Sequence, residues 1–246
     1  MAIDSQIALA AWLSFWRFWQ RYHRYEVEGL EKLDGIGPTL IVGYHGRPLA
    51  WDMCMLTVAL YDRLGYLPHG ILHRGIEASP RLKRMADALG FVTRDGPELA
   101  EAVERGEHII DTPGGGEEGA RHGRIQYQVD WGRHLGYLRL ALRYGLPIVP
   151  VGAAGVDNMY IGVNNPHQTA ERLGIPKQFA WATWIGVGLG GIYPFAPPLP
   201  VKIKQFIGDP IHLGHPDPAD LGALRTLHER VTGAVQTLLE HAVWQC

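Results

Sequence analysis

The sequence predicts an α/β protein, because strand-like and helix-like segments alternate between Pro38 and Gly152. The chain has 246 residues, of which 46% are hydrophobic and 20% are charged, the balance of a globular domain with a sizeable core. Residues 5–25 add an amphipathic pattern that is rich in aromatic side chains. We therefore expect an N-terminal amphipathic helix over residues 1–30 and one α/β domain over residues 31–246.

The first half of the α/β pattern is assigned from apolar runs and from capping signals. Ser79 has the side chain of a helix cap, Pro80 suits the first helical position, and Gly106 suits a helix end. The predicted elements, in order, are a strand Thr39–Tyr44, a helix Pro48–Tyr61, a strand Leu67–His73, a helix Ser79–Leu89, a strand Phe91–Thr93 and a helix Glu98–Arg105.

The second half follows the same pattern until an aromatic segment interrupts it. The predicted elements are a strand His108–Thr112, a helix Leu135–Tyr144 ended by Gly145, strands Pro147–Val151 and Val201–Ile207, and an amphipathic helix Leu221–Trp244. Residues 178–200 are apolar, contain many glycines and prolines, and carry no charge. They fit either a buried apolar helix or a lipid-facing flap around an acyl tunnel.

The aromatic N-terminal helix has two interpretations. Its polar residues Ser14, Arg17, Arg21 and Arg24 recur at spacings of three and four and form one narrow basic stripe. Tryptophans, phenylalanines and tyrosines fill the remaining surface. Such a helix suits the headgroup region of a bilayer, and it equally suits a core helix that caps a sheet. The scarcity of leucine favours the membrane surface.

Composition narrows the class of protein. The net charge of −2 gives no indication of a nucleic-acid partner. Cys54 and Cys246 are the two cysteines, so a reducing, cytoplasmic setting is expected. No stretch reaches the ~18 apolar residues of a membrane-spanning helix. The histidines lack the spacing of a zinc site, so we expect no metal.

The most informative segment ends the first predicted strand. An apolar run from Leu40 stops at His45, and a helix-compatible segment with Asp52 follows. A histidine at a strand tip is accessible to a substrate, and a nearby aspartate can orient it, so the pair is a candidate general base. The alternative is a histidine that merely packs at the strand end.

A glycine triplet follows the strand that ends at Thr112. The backbone of Gly114, Gly115 and Gly116 can approach a ligand closely, so it is a candidate site for an anion or a carbonyl oxygen. The segment lacks the Gly-Lys-Ser/Thr of a phosphate-binding loop. The alternative is a plain glycine-rich turn.

Four segments occur in the order of a known family: His45 to Asp52, Leu89-Gly90-Phe91-Val92-Thr93-Arg94, Thr112-Pro113-Gly114-Gly115-Gly116-Glu117-Glu118, and Gly145-Leu146-Pro147-Ile148-Val149-Pro150-Val151. This order resembles the lysophospholipid and glycerolipid acyltransferases (PlsC-like), and the third segment is closest to the diacylglycerol-acyltransferase-like branch. The resemblance implies a mixed, largely parallel sheet flanked by helices. It also implies that His45 deprotonates the acceptor hydroxyl, Asp52 orients His45, Arg94 holds the polar head of the acceptor, and Glu118 is the carboxylate of the third segment.

The spacing between histidine and aspartate departs from that family. Asp52 lies seven residues after His45, which on a continuous helix is a rise of ~10.5 Å and too far for a hydrogen bond. If Pro48 begins the helix, Gly46 and Arg47 form a loop that can fold the histidine back. Otherwise the orienting acid is Glu118, Asp95 or Asp111.

The resemblance implies an enzyme that moves a fatty acyl group from acyl-CoA or acyl carrier protein to a hydroxyl of a glycerolipid or related lipid, without a cofactor. We expect it in the cytoplasm, peripherally on the inner face of a membrane.

Three further arginines, Arg47, Arg121 and Arg124, are candidates to bind an anionic group of a substrate. The alternative for each is a solvated position on the surface. Two other functions stay open: a non-catalytic lipid-binding protein on the same scaffold, and a thioesterase or lipid hydrolase. No Gly-x-Ser-x-Gly motif supports a serine hydrolase.

Overall fold

The computed structural model describes residues 4–72, 76–77, 79–93, 95–119, 121 and 125–246, without the side chains of residues 177 and 178. Arg94 and Arg124, two of the predicted substrate contacts, lie outside the described residues, as does His73, the predicted end of one strand.

A mixed six-stranded sheet organises the protein, and it has the strand order β1-β9-β5-β2-β4-β3. Neighbouring strands run parallel except β5 and β9, which are antiparallel. The predicted fold class, with its largely parallel sheet, is therefore confirmed. The strands are β1 Glu26–Glu28, β2 Leu40–Gly43, β3 His69–Gly70, β4 Ile109–Asp111, β5 Ile148–Ala154, β6 Ile161–Gly162, β7 Gly186–Gly188, β8 Gly191–Ile192 and β9 Lys204–Ile207.

Helices cover both faces of this sheet, which is why its central strands are apolar throughout. In β2, Leu40 and Val42 belong to one apolar cluster, whereas Ile41 belongs to another on the opposite face. The helices are α1 Ser5–Tyr22, α2 Trp51–Leu64, α3 Pro80–Ala88, α4 Pro97–Glu104, α5 Gly115–Gly119, α6 Gly136–Tyr144, α7 Pro166–Arg172 and α8 Leu221–Gln245.

The capping residues predicted several helix ends correctly, whereas the predicted start of one helix was wrong. Ser79 caps α3 by accepting from the backbone N–H of Leu82, and Gly145 ends α6 in the left-handed region with a φ of 64°. The predicted helix from Pro48 instead begins at Trp51, because Ala50 adopts a left-handed conformation with a φ of 50°. The predicted strand Phe91–Thr93 is reduced to a single bridge between Val92 and Ile71.

The aromatic segment after α7 is not a buried helix. Strands β7 and β8 pair there, and β6 completes a small antiparallel sheet. Trp184 is buried against Tyr160, whereas Phe195 is 94% exposed and Leu189 and Ile192 are more than half exposed. The first alternative for residues 178–200 is therefore wrong, and a contact between this segment and lipid stays a prediction.

The aromatic residues of α1 divide between the core and the surface. Trp16 packs edge-on against Trp51 at a ring separation of 5.3 Å, and Trp12 Nε1 donates to Thr57 Oγ1 at 2.9 Å. Phe15 and Phe18 face outward and are 52% and 59% exposed. Each of the two interpretations therefore fits one side of this helix: one side packs in the core and the other is exposed. The contact with a membrane stays a prediction.

No helix within the described ranges combines the length and the apolar composition that crossing a bilayer requires.

Candidate active site

The carboxyl ends of β2 and β4 meet at one edge of the sheet. The strands are parallel neighbours with Val42 opposite Asp111, so the loops after them lie side by side. The loop after β2 carries His45, and the short helix α5, which follows β4, begins with Gly115 and Gly116. These three residues line one cavity of about 510 Å³. The topology therefore brings together the histidine and the glycines that the sequence singled out.

The cavity walls are mainly apolar. Trp12 enters from α1, Met53 and Cys54 from α2, Phe91 from the turn after α3, and Leu140 from α6. The size falls in the ~300–1,000 Å³ range of small-molecule sites, and such sites are lined mostly by apolar groups with a few polar ones. The ionisable groups on the walls are His45, Asp95, Asp111, His134, Cys54 and Tyr137.

The imidazole of His45 is half-buried and lines this cavity. Its Nδ1 is buried against Gly119 and has no hydrogen-bond partner among the described residues, which leaves Nε2 as the nitrogen on the cavity side. Burial, together with the nearby positive charge of Arg121, lowers the pKa of His45 to about 4. The ring is therefore neutral at pH 7 and able to accept a proton.

Asp52 lies at the second position of α2, where both of its oxygens are buried and without a hydrogen-bond partner in the described part of the chain. Burial raises the pKa of Asp52 to about 8. The loop between His45 and Asp52 is closed by a hydrogen bond from Ala50 N–H to the Gly46 carbonyl at 2.9 Å. Asp52 Oδ1 comes within 2.9 Å of where a Cβ on Gly46 would stand. Asp52 thus packs beside the residue after His45, and the structure holds no hydrogen bond between the two side chains.

Glu118 holds the backbone of His45 rather than its ring. Its Oε2 accepts from the His45 backbone N–H at 2.8 Å and from Trp131 Nε1 at 3.1 Å, and its Oε1 accepts from Asp130 N–H at 2.9 Å. Burial raises the pKa of Glu118 to about 7, an effect that Arg121 opposes. The carboxyl therefore positions the histidine loop.

Arg121 holds the backbone carbonyl of the same residue, His45. Its Nη2 donates to the His45 carbonyl at 3.0 Å and its Nη1 donates to the Gln128 carbonyl at 2.8 Å. The guanidinium also lies 4.2 Å above the centre of the Tyr44 ring. Glu118 and Arg121 thus fix both backbone groups of His45.

Arg47 is fully buried in a second polar cluster. It forms an ion pair with Asp157 at 3.6 Å, and its Nη2 donates to the Ile125 carbonyl at 2.6 Å. Tyr44 donates to the same Asp157 carboxylate at 2.5 Å. Neither Arg47 nor Arg121 is a solvated surface residue, so that alternative is wrong. Contact with a substrate anion stays a prediction, and it requires these side chains to leave their present partners.

Asp157 was missed in the sequence although a signal was present. It lies three residues after β5, the longest buried strand, at the same sheet edge as His45. A charged residue just beyond such a strand is a candidate for a paired buried group.

The three glycines have different surroundings. Gly115, with a φ of 55°, and Gly116 line the cavity. Gly114 is buried outside the lining, where a Cβ would stand 2.4 Å from Glu118 Oε2. The absence of a side chain at Gly114 therefore makes room for the Glu118 carboxyl.

No protein-family model matches this chain. It is 26% identical over 220 residues to a human "DGAT1/2-independent enzyme synthesizing storage lipids", covering 88% of this chain and 61% of that protein. The cattle protein of the same name is 25% identical over 219 residues, with coverages of 88% and 59%. "Phytyl ester synthase 2, chloroplastic" of Arabidopsis thaliana is 29% identical over 139 residues, covering 54% of this chain and 20% of that protein. The chain spans about three fifths of the length of the storage-lipid relatives.

A solved structure gives the same indication at the level of the fold. The 1-acyl-sn-glycerophosphate acyltransferase PlsC of Thermotoga maritima superposes with a TM-score of 0.55 and 17% identity, covering 95% of this chain and 81% of that one. The resemblance predicted from the four ordered segments is therefore confirmed: this protein has the PlsC acyltransferase fold. Its sequence is similar to proteins that are named for the synthesis of storage lipids and of phytyl esters.

Proposed function

We propose that the protein is an O-acyltransferase that moves a fatty acyl group from an acyl thioester to a hydroxyl of a glycerolipid or related lipid alcohol. The observation that carries the proposal is a neutral imidazole, His45, at the wall of an apolar cavity of about 510 Å³. Acyl-CoA and acyl carrier protein are both candidate donors. Without the base the same cavity would only bind lipid, so the function depends on His45.

The reaction needs one proton to move and one acyl group to change partners. His45 Nε2 takes the proton of the acceptor hydroxyl as its oxygen bonds to the thioester carbonyl carbon. Collapse of the tetrahedral intermediate breaks the carbon–sulfur bond, and the imidazolium returns the proton to the leaving thiolate. A positioned base of this kind contributes roughly 10²–10⁴ in rate, and no covalent enzyme intermediate is required.

Asp52 is the proposed partner of the imidazolium. Its carboxyl and the Nδ1 of His45 are both buried without partners, and such groups are costly to leave unpaired. A rearrangement that joins them would let the carboxylate stabilise the positive ring, which would raise the pKa of His45 and lower that of Asp52. We therefore infer that substrate binding favours this pair.

The backbone beside the base is suited to the developing oxyanion. Gly115 and Gly116 form part of the cavity wall, where no side chain keeps a carbonyl oxygen from the main chain. Fixed N–H donors are an effective means of stabilising such a charge. We assign this stretch to the thioester carbonyl. Arg94 keeps its proposed role as the contact to the polar head of the acceptor, and Arg124 keeps its proposed role as a contact to an anionic group of a substrate.

The relatives favour an uncharged acceptor. Their names refer to storage lipids and to phytyl esters rather than to phospholipids. The chain also lacks the Glu-Gly-Thr-Arg block of the commoner third segment. Diacylglycerol, a glycolipid or a long-chain alcohol is therefore the proposed acceptor class.

A peripheral position on a membrane fits such substrates. The exposed Phe15 and Phe18 of α1 and the exposed Phe195 beyond β8 are bulky apolar groups that can enter a headgroup region. Tyr22 links the two regions by donating to the Pro198 carbonyl at 2.7 Å. We propose that this side of the protein meets the lipid.

The test is mass spectrometry of the products formed from the purified protein, palmitoyl-CoA and a panel of lipid alcohols on vesicles. The proposal expects an ester of at least one panel member and an equal amount of free CoA. Free CoA with palmitate and no ester would instead indicate a thioesterase. Retention of palmitoyl-CoA without turnover would indicate a lipid-binding protein.

A further inference from the structure

Asp111 is a cavity carboxyl that the proposed reaction does not use. It ends β4, opposite Val42 of β2, and is partly exposed into the cavity that His45 also lines. Among the described residues no side chain donates a hydrogen bond to it or forms an ion pair with it. The backbone N–H of Thr112 is the group that favours its charged form.

Asp95, the other carboxyl on the cavity wall, provides an internal comparison. Its two oxygens accept from Arg143 Nη1 at 2.5 Å and from the Tyr144 hydroxyl at 2.6 Å, so its charge is already compensated. No side chain among the described residues compensates Asp111 in this way. A polar group left unpaired in an apolar cavity gains most from a ligand that supplies a hydrogen-bond donor.

The other ionisable groups around Asp111 do not neutralise it. Burial raises the pKa of Asp111 to about 7. Tyr137 lies close enough for the charge of Asp111 to raise the pKa of its phenol, and that hydroxyl is paired with His228 Nδ1 at 3.2 Å. His45, which lines the same cavity, is neutral, and His134 is an exposed residue of the lining. No lysine or arginine of the described ranges lines the cavity.

We propose that Asp111 is a specificity-determining residue, which accepts a hydrogen bond from a hydroxyl of the acceptor's head and excludes acceptors that carry a phosphate at that position. This inference rests on the proposed acyl transfer. The acceptor class is then an uncharged polyol-type lipid, for which monoacylglycerol is the smallest example. A phosphate in the position of that hydroxyl would bring its negative charge close to the carboxylate of Asp111 at an apolar cavity wall. The low dielectric there makes this repulsion strongly unfavourable.

The selectivity is also expected to depend on pH. Asp111 loses its proton as the pH rises through about 7, so repulsion of a phosphate grows from pH 6 to pH 8. The second ionisation of the phosphate, with a pKa of ~6, strengthens the repulsion in the same direction. Removing the carboxylate at Asp111 should therefore weaken the dependence of selectivity on pH. The part of that dependence that comes from ionisation of the lipid phosphate itself should remain.

The test compares two acceptors that differ only by the phosphate, 1-oleoylglycerol and 1-oleoylglycerol 3-phosphate, in kcat/KM measured by thiol release from palmitoyl-CoA. In the unmodified protein the ratio should favour 1-oleoylglycerol, and more so at pH 8 than at pH 6. Asp111→Asn should lower that ratio by about tenfold at pH 8, mainly through a smaller KM for the phosphate acceptor. Asp95→Asn, the same change at the compensated carboxyl, should leave the ratio unchanged.

The outcomes separate this inference from the proposed function. Transfer to both acceptors with an equal ratio in Asp111→Asn and unmodified protein would refute the role of Asp111 and leave acyl transfer standing. Absence of transfer to any acceptor would overturn both. Thermal melting checks folding, and if Asp111→Asn unfolds early, Asp111→Thr provides the second comparison with the same expected change in ratio.

Discussion

Replacing Gly119 by alanine should displace the imidazole of His45 while leaving the fold intact. A Cβ on Gly119 would stand 2.3 Å from His45 Nδ1 and 2.6 Å from its Cε1, whereas Cβ atoms essentially never approach a heavy atom within 3.0 Å. On another side, the Pro48 carbonyl oxygen would be 3.2 Å away. The ring must therefore move by roughly 1 Å to restore van der Waals contact.

The expected losses differ between activity and stability. A displacement of about 1 Å at a reacting group costs ~10²-fold in rate. Overpacking costs about 1–3 kcal/mol, and exchanging glycine for alanine within a helix returns about 0.5–1 kcal/mol. Gly119→Ala should thus lose most of its activity, whereas its unfolding free energy should fall by no more than about 2.5 kcal/mol.

The assay is acceptor-dependent thiol release, paired with urea unfolding followed by circular dichroism. Gly233→Ala is the matched control, because Gly233 lies on an exposed face of α8 with nothing within 4 Å of an added Cβ. The control should keep full activity and gain about 0.5–1 kcal/mol in unfolding free energy. If Gly119→Ala keeps more than a third of the activity, the assigned position of the His45 ring is wrong.

Three other predictions follow from the buried ionisable groups. Glu118→Ala leaves two backbone N–H donors and one indole N–H donor without an acceptor. It should therefore lower the unfolding free energy measured in urea by about 3 kcal/mol or more. A loss below about 1 kcal/mol would contradict the hydrogen bonds to Glu118. The NMR ring resonances of His45, assigned with His45→Gln, should show a neutral imidazole down to pH 5, and a transition centred at pH 6.5 would contradict its burial. The unfolding free energy should fall by about 1–3 kcal/mol as the pH rises from 6.5 to 8. The reason is that the pKa values of Asp52, Asp111 and Glu118 are raised in the folded protein, so unfolding releases their protons. A rise in unfolding free energy over this range, or an equal slope in Asp52→Asn, would refute this prediction.

Much of the fold could be predicted from the sequence because its signals are local. The runs that became β2 and β5 are continuous and apolar, as strands covered on both faces must be. Ser79 and Pro80 indicate a helix start with their own side chains. The start of α2 could not be read in this way, because alanine gives no sign that Ala50 adopts a left-handed conformation.

The site was predictable only in part, for a physical reason. His45 and the glycines follow strands, and parallel topology alone brings such strand ends together. The pairing of Arg47 with Asp157 joins residues 110 positions apart, and no local pattern distinguishes a paired buried arginine from a solvated one. The contribution of Trp12 to the cavity wall likewise depends on how α1 packs against α2.

The account depends most on the proton transfer by His45, and one comparison tests it directly. Free thiol from palmitoyl-CoA is measured with and without a lipid alcohol for the unmodified protein, for His45→Gln and for His167→Gln, a change at an exposed histidine of α7. We predict that added alcohol accelerates release in the unmodified protein and in His167→Gln, and that His45→Gln loses this acceleration by at least ~10²-fold while its melting temperature is retained. Equal acceleration in all three proteins would contradict the assignment of His45 as the base.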